Sequence, residues 1–344
     1  MNEEFGKENI SEVKYLPGFY QLPSNVKIST TSLYKKGQIY GIDVSSGVAV
    51  GVLDVKPGDH CLDLCTAPGA KLSMMADLAS PNQESLNGSA TGIDISENRL
   101  NVCKNMLKKY KSPNVRLFLM DGRNFNEPPP SVWQGENKAD YYKNLQNIES
   151  KKGGVMKPIY STGRLYEGPH LLYDKVLVDV ECTHDGSLKH ILKYNEWGWE
   201  TFENKFLQEE RISSISQLQK ELLENGFRML KPGGTLVYST CSLSKAQNED
   251  VVSLFLEEEK CAKLLPIDVN HLPDESCLTA HISNKNDPLW GTVRFNPILH
   301  GTSGLFIAKI TKIKETSSQI ELEISNQSSS NSDENSHKRI KIES

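Results

Sequence analysis

From Gly47 onward the chain alternates short apolar runs with longer stretches whose apolar residues recur three or four positions apart. The runs "HCLDLC", "SATGIDI", "NVRLFLM", "KVLVDV" and "GTLVYST" are rich in β-formers and read as strands. Between Ser214 and Leu230, residues Ile215, Leu218, Leu222, Leu223, Phe227 and Leu230 keep helical spacing, and "KPGG" stops the helix. A second helix, "KAQNEDVVSLFLEEEK", follows the strand that contains Cys241, and "SGLFIAKI" reads as the last strand. Strand and helix taking turns in this way predicts an α/β fold with a mostly parallel sheet and helices on both faces.

The flanks differ in texture. Residues 1–44 mix polar residues with "KYLPGFYQLP" and suggest an irregular leading segment, with the main domain over 45–313. The stretch from about 124 to 173 carries "EPPPSVW", "NKADYYKNLQNIESKKGG" and several glycines, and is expected to be an insertion outside the main layering. Beyond Ile313 the text collapses into Ser, Asn, Glu and Asp, so 314–344 is expected to be a disordered tail. Its basic end, "HKRIKIES", reads as solvated charge, with a nuclear address as the alternative.

The formal charge of −5 argues against a surface that attracts nucleic acid everywhere, but leaves local basic patches open. Seven cysteines with no C-x-x-C pair fit a reduced intracellular protein better than a disulfide scaffold or a zinc module, and no metal site is expected. The start, "MNEEFGKENI", lacks the features of a signal peptide and is acidic for a transit peptide. The expected location is therefore the nucleus or cytoplasm ahead of mitochondria. No run approaches the roughly 18 apolar residues of a membrane helix.

Open α/β sheets bind ligands above the carboxyl ends of their strands. Cys65, Asp94, Asp121, Asp179 and Cys241 all stand there. The first junction, Cys65, Thr66, Ala67, Pro68, Gly69, Ala70 and Lys71, is a small-residue turn that lets backbone amides approach a ligand, yet it lacks the spacing of a phosphate cradle. Asp94 suits ribose hydroxyls and Asp121 an adenine edge. Taken singly, each aspartate reads as a cap or turn residue. On successive strands they suggest an adenosine cofactor without a phosphate chain, a description that S-adenosyl-L-methionine meets.

"LDLCTAPGAK", "GIDIS", "VLVDVEC" and "LKPGGTLVYSTCSLSKAQNEDVV" resemble the successive motifs of the nucleolar-protein/Sun (NSUN) family of RNA cytosine-5 methyltransferases. The likeness covers roughly Gly37 to Ile313, interrupted by the insertion. It implies a class I, Rossmann-like methyltransferase sheet of seven strands, with the cofactor held by residues 65–71, Asp94, Asp121 and Asp179. It further implies that Cys241 is the nucleophile and that Cys182 helps release the product.

The chemistry explains a need for two thiols. Carbon 5 of cytosine is too weak a nucleophile to take a methyl group from a sulfonium ion unaided, and a thiolate adding to carbon 6 raises its electron density. Asp179 is the candidate for contact with the pyrimidine N3. Cys182 is the candidate to assist loss of the carbon 5 proton. Lys71 either favours the Cys241 thiolate, orients the base, or pairs with a neighbouring carboxylate. Cys61, Cys103, Cys261 and Cys277 read as packing residues.

Four positions depart from the family pattern. Glu181 replaces the usual proline before Cys182 and brings a charge expected to raise the pKa of the adjacent thiol. His184 and Asp185 crowd a turn where the family has small residues, and Ala70 replaces a glycine. The target cytosine must be single-stranded or flipped. The RNA is expected to be tRNA or rRNA, bound by a monomer, with a protein partner as one source of recognition. Candidate phosphate contacts are "YKKG" at 34–37, "KKYKS" at 108–112 and "ESKKGG" at 149–154, and Trp133, Tyr141, Tyr142 and Tyr160 are candidate stacking residues. The alternative is a catalytically silent RNA-binding assembly factor of the same fold.

Overall fold

The computed structural model describes residues 2–6, 9–23, 25–81, 88–132, 157–163, 165–167, 172–277 and 286–314. In chain order the strands of its central sheet are β1 (His60–Asp63), β2 (Ser89–Asp94), β3 (Val115–Leu119), β4 (Tyr160–Ser161), β5 (Tyr173–Asp179), β6 (Leu230–Thr240), β7 (Ala262–Leu265), β8 (Val293–Phe295) and β9 (Leu305–Lys312). They lie in the order β7-β9-β6-β5-β1-β2-β3-β4, with β8 also beside β9. The five strands from β6 to β3 are mutually parallel, and β9 runs antiparallel to β6.

Nine strands among the described residues, rather than seven, reflect two short additions. The two-residue β4, from the segment read as an insertion, caps the edge of β3, and the three-residue β8 pairs with the start of β9 while β7 pairs with its end. From β1 the chain first builds outward through β2 and β3, then crosses to place β5 on the other side of β1. The crevice for a ligand opens where that order reverses, between β1 and β5.

The helices around the sheet and the site are α1 (Val44–Leu53), α2 (Ala70–Ala79), α3 (Glu97–Tyr110), α4 (Leu188–Ile191), α5 (Tyr194–Trp197), α6 (Trp199–Phe206), α7 (Glu209–Met229) and α8 (Glu249–Glu258). Period-2 alternation divides the strands between two cores. Val237, Leu177 and Ile307 pack with Val48, Leu72 and Leu100 of α1–α3, whereas Leu236, Tyr238, Val176, Val178 and Phe306 pack with Leu222, Phe227 and Phe255 of α7 and α8. The leading segment joins the first core through Val13 and Leu16.

Three boundaries differ from the periodic pattern. α7 begins at Glu209, a turn before Ser214, because Glu209 and Glu210 in its first turn favour the positive helix end. "KPGG" is the irregular start of β6, with a register shift between Leu230 and Thr235, and not a separate stop. The helix expected from Lys245 instead opens as a 3-10 turn, Lys245–Gln247, before α8. Pro130–Val132 and Leu165–Glu167 pair in a separate antiparallel ribbon. Trp133, Tyr141, Tyr142, "ESKKGG" and residues 315–344 lie outside the described residues.

Candidate active site

β5 and β6 are adjacent and parallel, with Asp179 opposite Ser239, so the loops that leave their ends meet. Cys182 Sγ lies 3.3 Å from Cys241 Sγ. His184, from the same turn as Cys182, places Nδ1 at 3.1 Å from Cys241 Sγ and 3.6 Å from Cys182 Sγ. The turn closes because His184 adopts a left-handed backbone, φ 57°. Its N–H donates to Cys182 Sγ at 3.4 Å.

These contacts divide the two thiols by role. The hydrogen bond from Cys182, and then the bond from and charge of His184, pull the Cys241 thiol down to about 6 against the opposing effect of burial. Cys182 is pushed well above the ordinary range, by its bond to Cys241 first, then by burial and the Cys241 charge. Burial pulls His184 down, but its bond to Cys241 and the charges of Cys241, Glu181 and Asp179 outweigh that and raise it. The arrangement is a thiolate on Cys241 flanked by a thiol and an imidazolium.

The loops are fixed by a polar network. Gln247 Oε1 accepts from Thr183 N at 3.0 Å, Thr183 Oγ1 meets Ser242 Oγ at 3.0 Å, and Thr240 Oγ1 donates to Asn248 Oδ1 at 2.6 Å. Gly186 N donates to Cys241 O at 2.9 Å and its own carbonyl accepts from Gly304 N at 2.8 Å. Arg294 grips Glu249 with two contacts of 2.7 Å and donates to Leu243 O at 3.2 Å. "CSLSKAQNED" is therefore a polar latch as much as a strand end.

Beside the thiols, Lys71 Nζ donates to Asp179 Oδ2 at 2.7 Å and Ser239 Oγ to Asp179 Oδ1 at 2.7 Å. Of the three uses open to Lys71, the carboxylate pair is formed. Burial pulls Lys71 down, but Asp179, Asp63 and the Cys241 charge raise it overall. Asp63, buried beneath this pair, is pushed up to about 7 by burial and by the Asp179 charge.

The turn at residues 65–71 sits above β1. Asp94 is buried under it, with Oδ2 accepting from Ala67 N at 3.2 Å and Oδ1 from Ser96 N at 2.9 Å, while Arg99 reaches Asp94 and donates to Ala67 O at 2.7 Å. Gly69 is left-handed, φ 106°, and a Cβ there would meet Cys103 Sγ at 2.5 Å, so α3 packs tightly on the turn. Cys65 is pushed well above its ordinary value, first by burial, then by the charges of Asp63 and Asp94. Asp121 caps the turn Gly122–Asn124 and is chelated by Arg123, which also binds Glu221 at 2.8 Å. An open depression of about 520 Å³ shares Arg123 and lies off the thiol pair, lined further by Asn124, Glu221, Glu224, Asn225 and Arg228.

Glu181 is not among the main groups that raise Cys182; half-exposed, it pairs with Arg211 at 2.8 Å, and its charge is felt at His184. The sequence drew attention to His184 only as crowding. Its role follows from the left-handed turn, and the one available signal was a Cys-x-His spacing. The two basic segments within the described residues converge, with Lys109 Nζ 3.2 Å from the centre of the Tyr34 ring. Tyr160 lies under Lys104 and Lys108, each 5.8 Å from its ring centre.

The sequence profile of the family described as "16S rRNA methyltransferase RsmB/F" matches residues 50–141 and 143–311. The chain is similar to the tRNA (cytosine(49)-C(5))-methyltransferase of Pyrococcus abyssi, with 26% identity over 312 residues, 91% of this chain and 82% of that protein. It is also similar to ribosomal RNA small subunit methyltransferase B of Photorhabdus laumondii, at 26% over 296 residues, 86% of this chain but 52% of that one, so it spans about half that relative's length. Among solved structures, a methyltransferase homologue from Pyrococcus horikoshii superposes with a TM-score of 0.61 at 27% identity, covering 88% of this chain and 78% of that chain. The sheet is that of the class I methyltransferases.

Proposed function

The chain belongs to the 16S rRNA methyltransferase RsmB/F family, and from that premise we propose that it methylates carbon 5 of a cytosine in tRNA or rRNA through a covalent bond from Cys241 to carbon 6. The observation that carries this reading is the convergence of Cys182, His184 and Cys241 beside the crevice. The cofactor is S-adenosyl-L-methionine, which when bound supplies an electrophilic methyl group. The turn fits such a guest: α2 begins after Gly69 with no side-chain cap, so a polar ligand lying on the turn can meet the first amides of the helix. Residues 65–71 would hold it, with Asp94 bracing the turn from below.

Cys241 enters the reaction as a thiolate, kept so by the Cys182 S–H and the His184 N–H. It adds to carbon 6 of a flipped cytosine. The pyrimidine N3 is an acceptor and needs a donor. Asp179, bonded to Lys71 and Ser239, is an acceptor itself, so the Lys71 ammonium, with hydrogens beyond the one given to Asp179, is the donor to N3, and Asp179 suits the exocyclic amine. Once Cys241 is bonded to carbon 6 its charge no longer holds the proton on Cys182, so that proton passes to solvent and the Cys182 thiolate, directly or through water, takes the carbon 5 proton after methyl transfer. Cys241 then departs as a thiolate into the same two hydrogen bonds that held it at the start, which lowers the cost of elimination.

Lys109 and Lys108, gathered with the 34–37 segment, offer phosphate contacts. The intact thiol pair favours an active enzyme over a silent assembly factor. Incubation of the full chain with labelled cofactor and total cellular RNA tests this: label appears in 5-methylcytosine with the native chain and not with Cys241→Ala. No incorporation by folded native protein into a broad RNA pool would overturn it.

A further inference from the structure

We propose that Cys182, His184 and Cys241 also form a metal site for a zinc-class divalent ion, and that the filled site holds the enzyme in an inactive resting state. The second half rests on the reading of Cys241 as the nucleophile; the first does not. The three ligand atoms all lie within 4.8 Å of one another. In a tetrahedral zinc site, with Zn–S about 2.3 Å and Zn–N about 2.0 Å, two sulfurs sit about 3.8 Å apart and a sulfur and nitrogen about 3.5 Å apart. The observed separations are 3.3 Å between sulfurs and 3.1 and 3.6 Å from Nδ1 to each. An ion therefore needs the three side chains to open by only a few tenths of an ångström.

The donor set is right as well as the spacing. Two thiolates and an imidazole select zinc over calcium or magnesium, which take oxygen ligands. The site is held in shape before any ion arrives. Cys182 Sγ already accepts the His184 backbone N–H at 3.4 Å, the kind of outer bond that steadies a metal-bound thiolate. The His184 ring stacks on His190, with centres 4.6 Å apart, and the carbonyl of Cys241 is fixed by Gly186 N at 2.9 Å. The nearby ammonium of Lys71 does not repel a cation strongly, because it is paired with Asp179 at 2.7 Å.

Binding breaks the Cys182 S–H bond and the His184 Nδ1–H bond and forms two Zn–S bonds and one Zn–N bond, with the two protons passing to the buffer and no change of oxidation state. Three protein ligands are supplied among the described residues, so a fourth position stays open there, unlike a closed structural site. While the ion is bound, the lone pair that would attack carbon 6 is committed to the metal. The ion also keeps two sulfurs in contact from oxidising to a disulfide, which would silence the same nucleophile.

The test uses the full chain, reduced, stripped with chelator and titrated with Co²⁺ in the absence of RNA. The expected result is one equivalent giving thiolate charge-transfer and tetrahedral d–d absorbance, displaced by Zn²⁺. Cys182→Ala, His184→Ala and Cys241→Ala each weaken binding at least about tenfold, since loss of an outer partner alone costs that much. Cys277→Ser is the control, because Cys277 and His300, 3.4 Å apart, are another Cys–His pair; it should leave the spectrum unchanged. A tetrahedral spectrum that survives in Cys241→Ala, or none with the native chain, overturns the site. Zn²⁺ should abolish methyl transfer in step with occupancy and chelator should restore it. Methyl transfer persisting at full occupancy overturns the resting-state half, whereas methyl transfer by Cys241→Ala would instead sink the nucleophile reading, whatever the metal does.

Discussion

His184 Nδ1 stands 3.1 Å from Cys241 Sγ, on a turn in which residue 184 is left-handed. The imidazolium favours the thiolate, so the rate of the metal-free enzyme should rise with pH through the Cys241 value of about 6. His184→Gln keeps a polar side chain but removes the charge, and the rising limb should move up toward the ordinary thiol range near 8.5. Methyl transfer at pH 6.5 then falls roughly tenfold and recovers at high pH. An unshifted profile would remove His184 from the chemistry.

Cys182 touches Cys241 at 3.3 Å and stays protonated in the resting site. If it assists loss of the carbon 5 proton, Cys182→Ala still forms the adduct but cannot release it. A complex of protein and RNA that survives denaturing electrophoresis should accumulate in Cys182→Ala and vanish when Cys241 is also changed to Ala. Free turnover by Cys182→Ala would assign the proton to another group.

Much of this site was legible along the chain, and the limits of that legibility are physical. Strand ends are marked by a switch from apolar to polar residues, so Asp94, Asp179 and Cys241 could be placed on one sheet edge before any coordinates. What neighbouring loops do to each other could not. Gln247 reaching Thr183 at 3.0 Å links residues 64 positions apart, and no local pattern encodes that. Asp63 was passed over because an aspartate inside "LDLC" looks like any strand polar residue; its meaning lies in burial and in Asp179 nearby. The partner of Glu181 was hidden for the same reason, because Arg211 is contributed by α7.

Asp63 makes a stability prediction with a defined sign. Its folded pKa of about 7 lies above the ordinary 3.8, so between these values the folded chain holds a proton that the unfolded chain has released. Stability contributed by this group therefore falls as pH rises from about 4 to about 7. Asp63→Asn removes the ionisation and retains an oxygen for the Cys65 N–H, 3.2 Å from the carboxylate in the native chain. At pH 8 the variant should melt at least about 2 °C higher than the native protein, with the gap closing at pH 4. An equal gap at both pH values would show that the carboxyl is not buried as described.

Glu181 and Arg211 are each about half exposed, at 50% and 44%, and such a pair contributes no more than about 1 kcal/mol. Glu181→Ala should leave both melting temperature and methyl transfer close to native, within about twofold for the rate. A large loss of product release alone would mean that the residue before Cys182 governs elimination after all.

Gly186 separates placement of the nucleophile from binding of the cofactor. A Cβ at this position would lie 2.8 Å from Cys241 O and 3.3 Å from both Cα and O of Gly304, all backbone atoms that cannot turn aside as a side chain would. Gly186→Ala must therefore push the Cys241 backbone, and with it the sulfur, away from His184 and from the position where carbon 6 is presented. Displacements approaching 1 Å at a reacting atom cost about a hundredfold, so kcat should fall by one to two orders of magnitude. The turn at residues 65–71 belongs to β1 and makes no use of Gly186, so the dissociation constant for cofactor should stay within about twofold of native. Calorimetry of cofactor binding beside single-turnover methyl transfer reads both quantities. A native kcat in this variant would show that the carbonyl contact does not position the sulfur, and equal losses in kcat and cofactor affinity would point to a general collapse of the crevice instead.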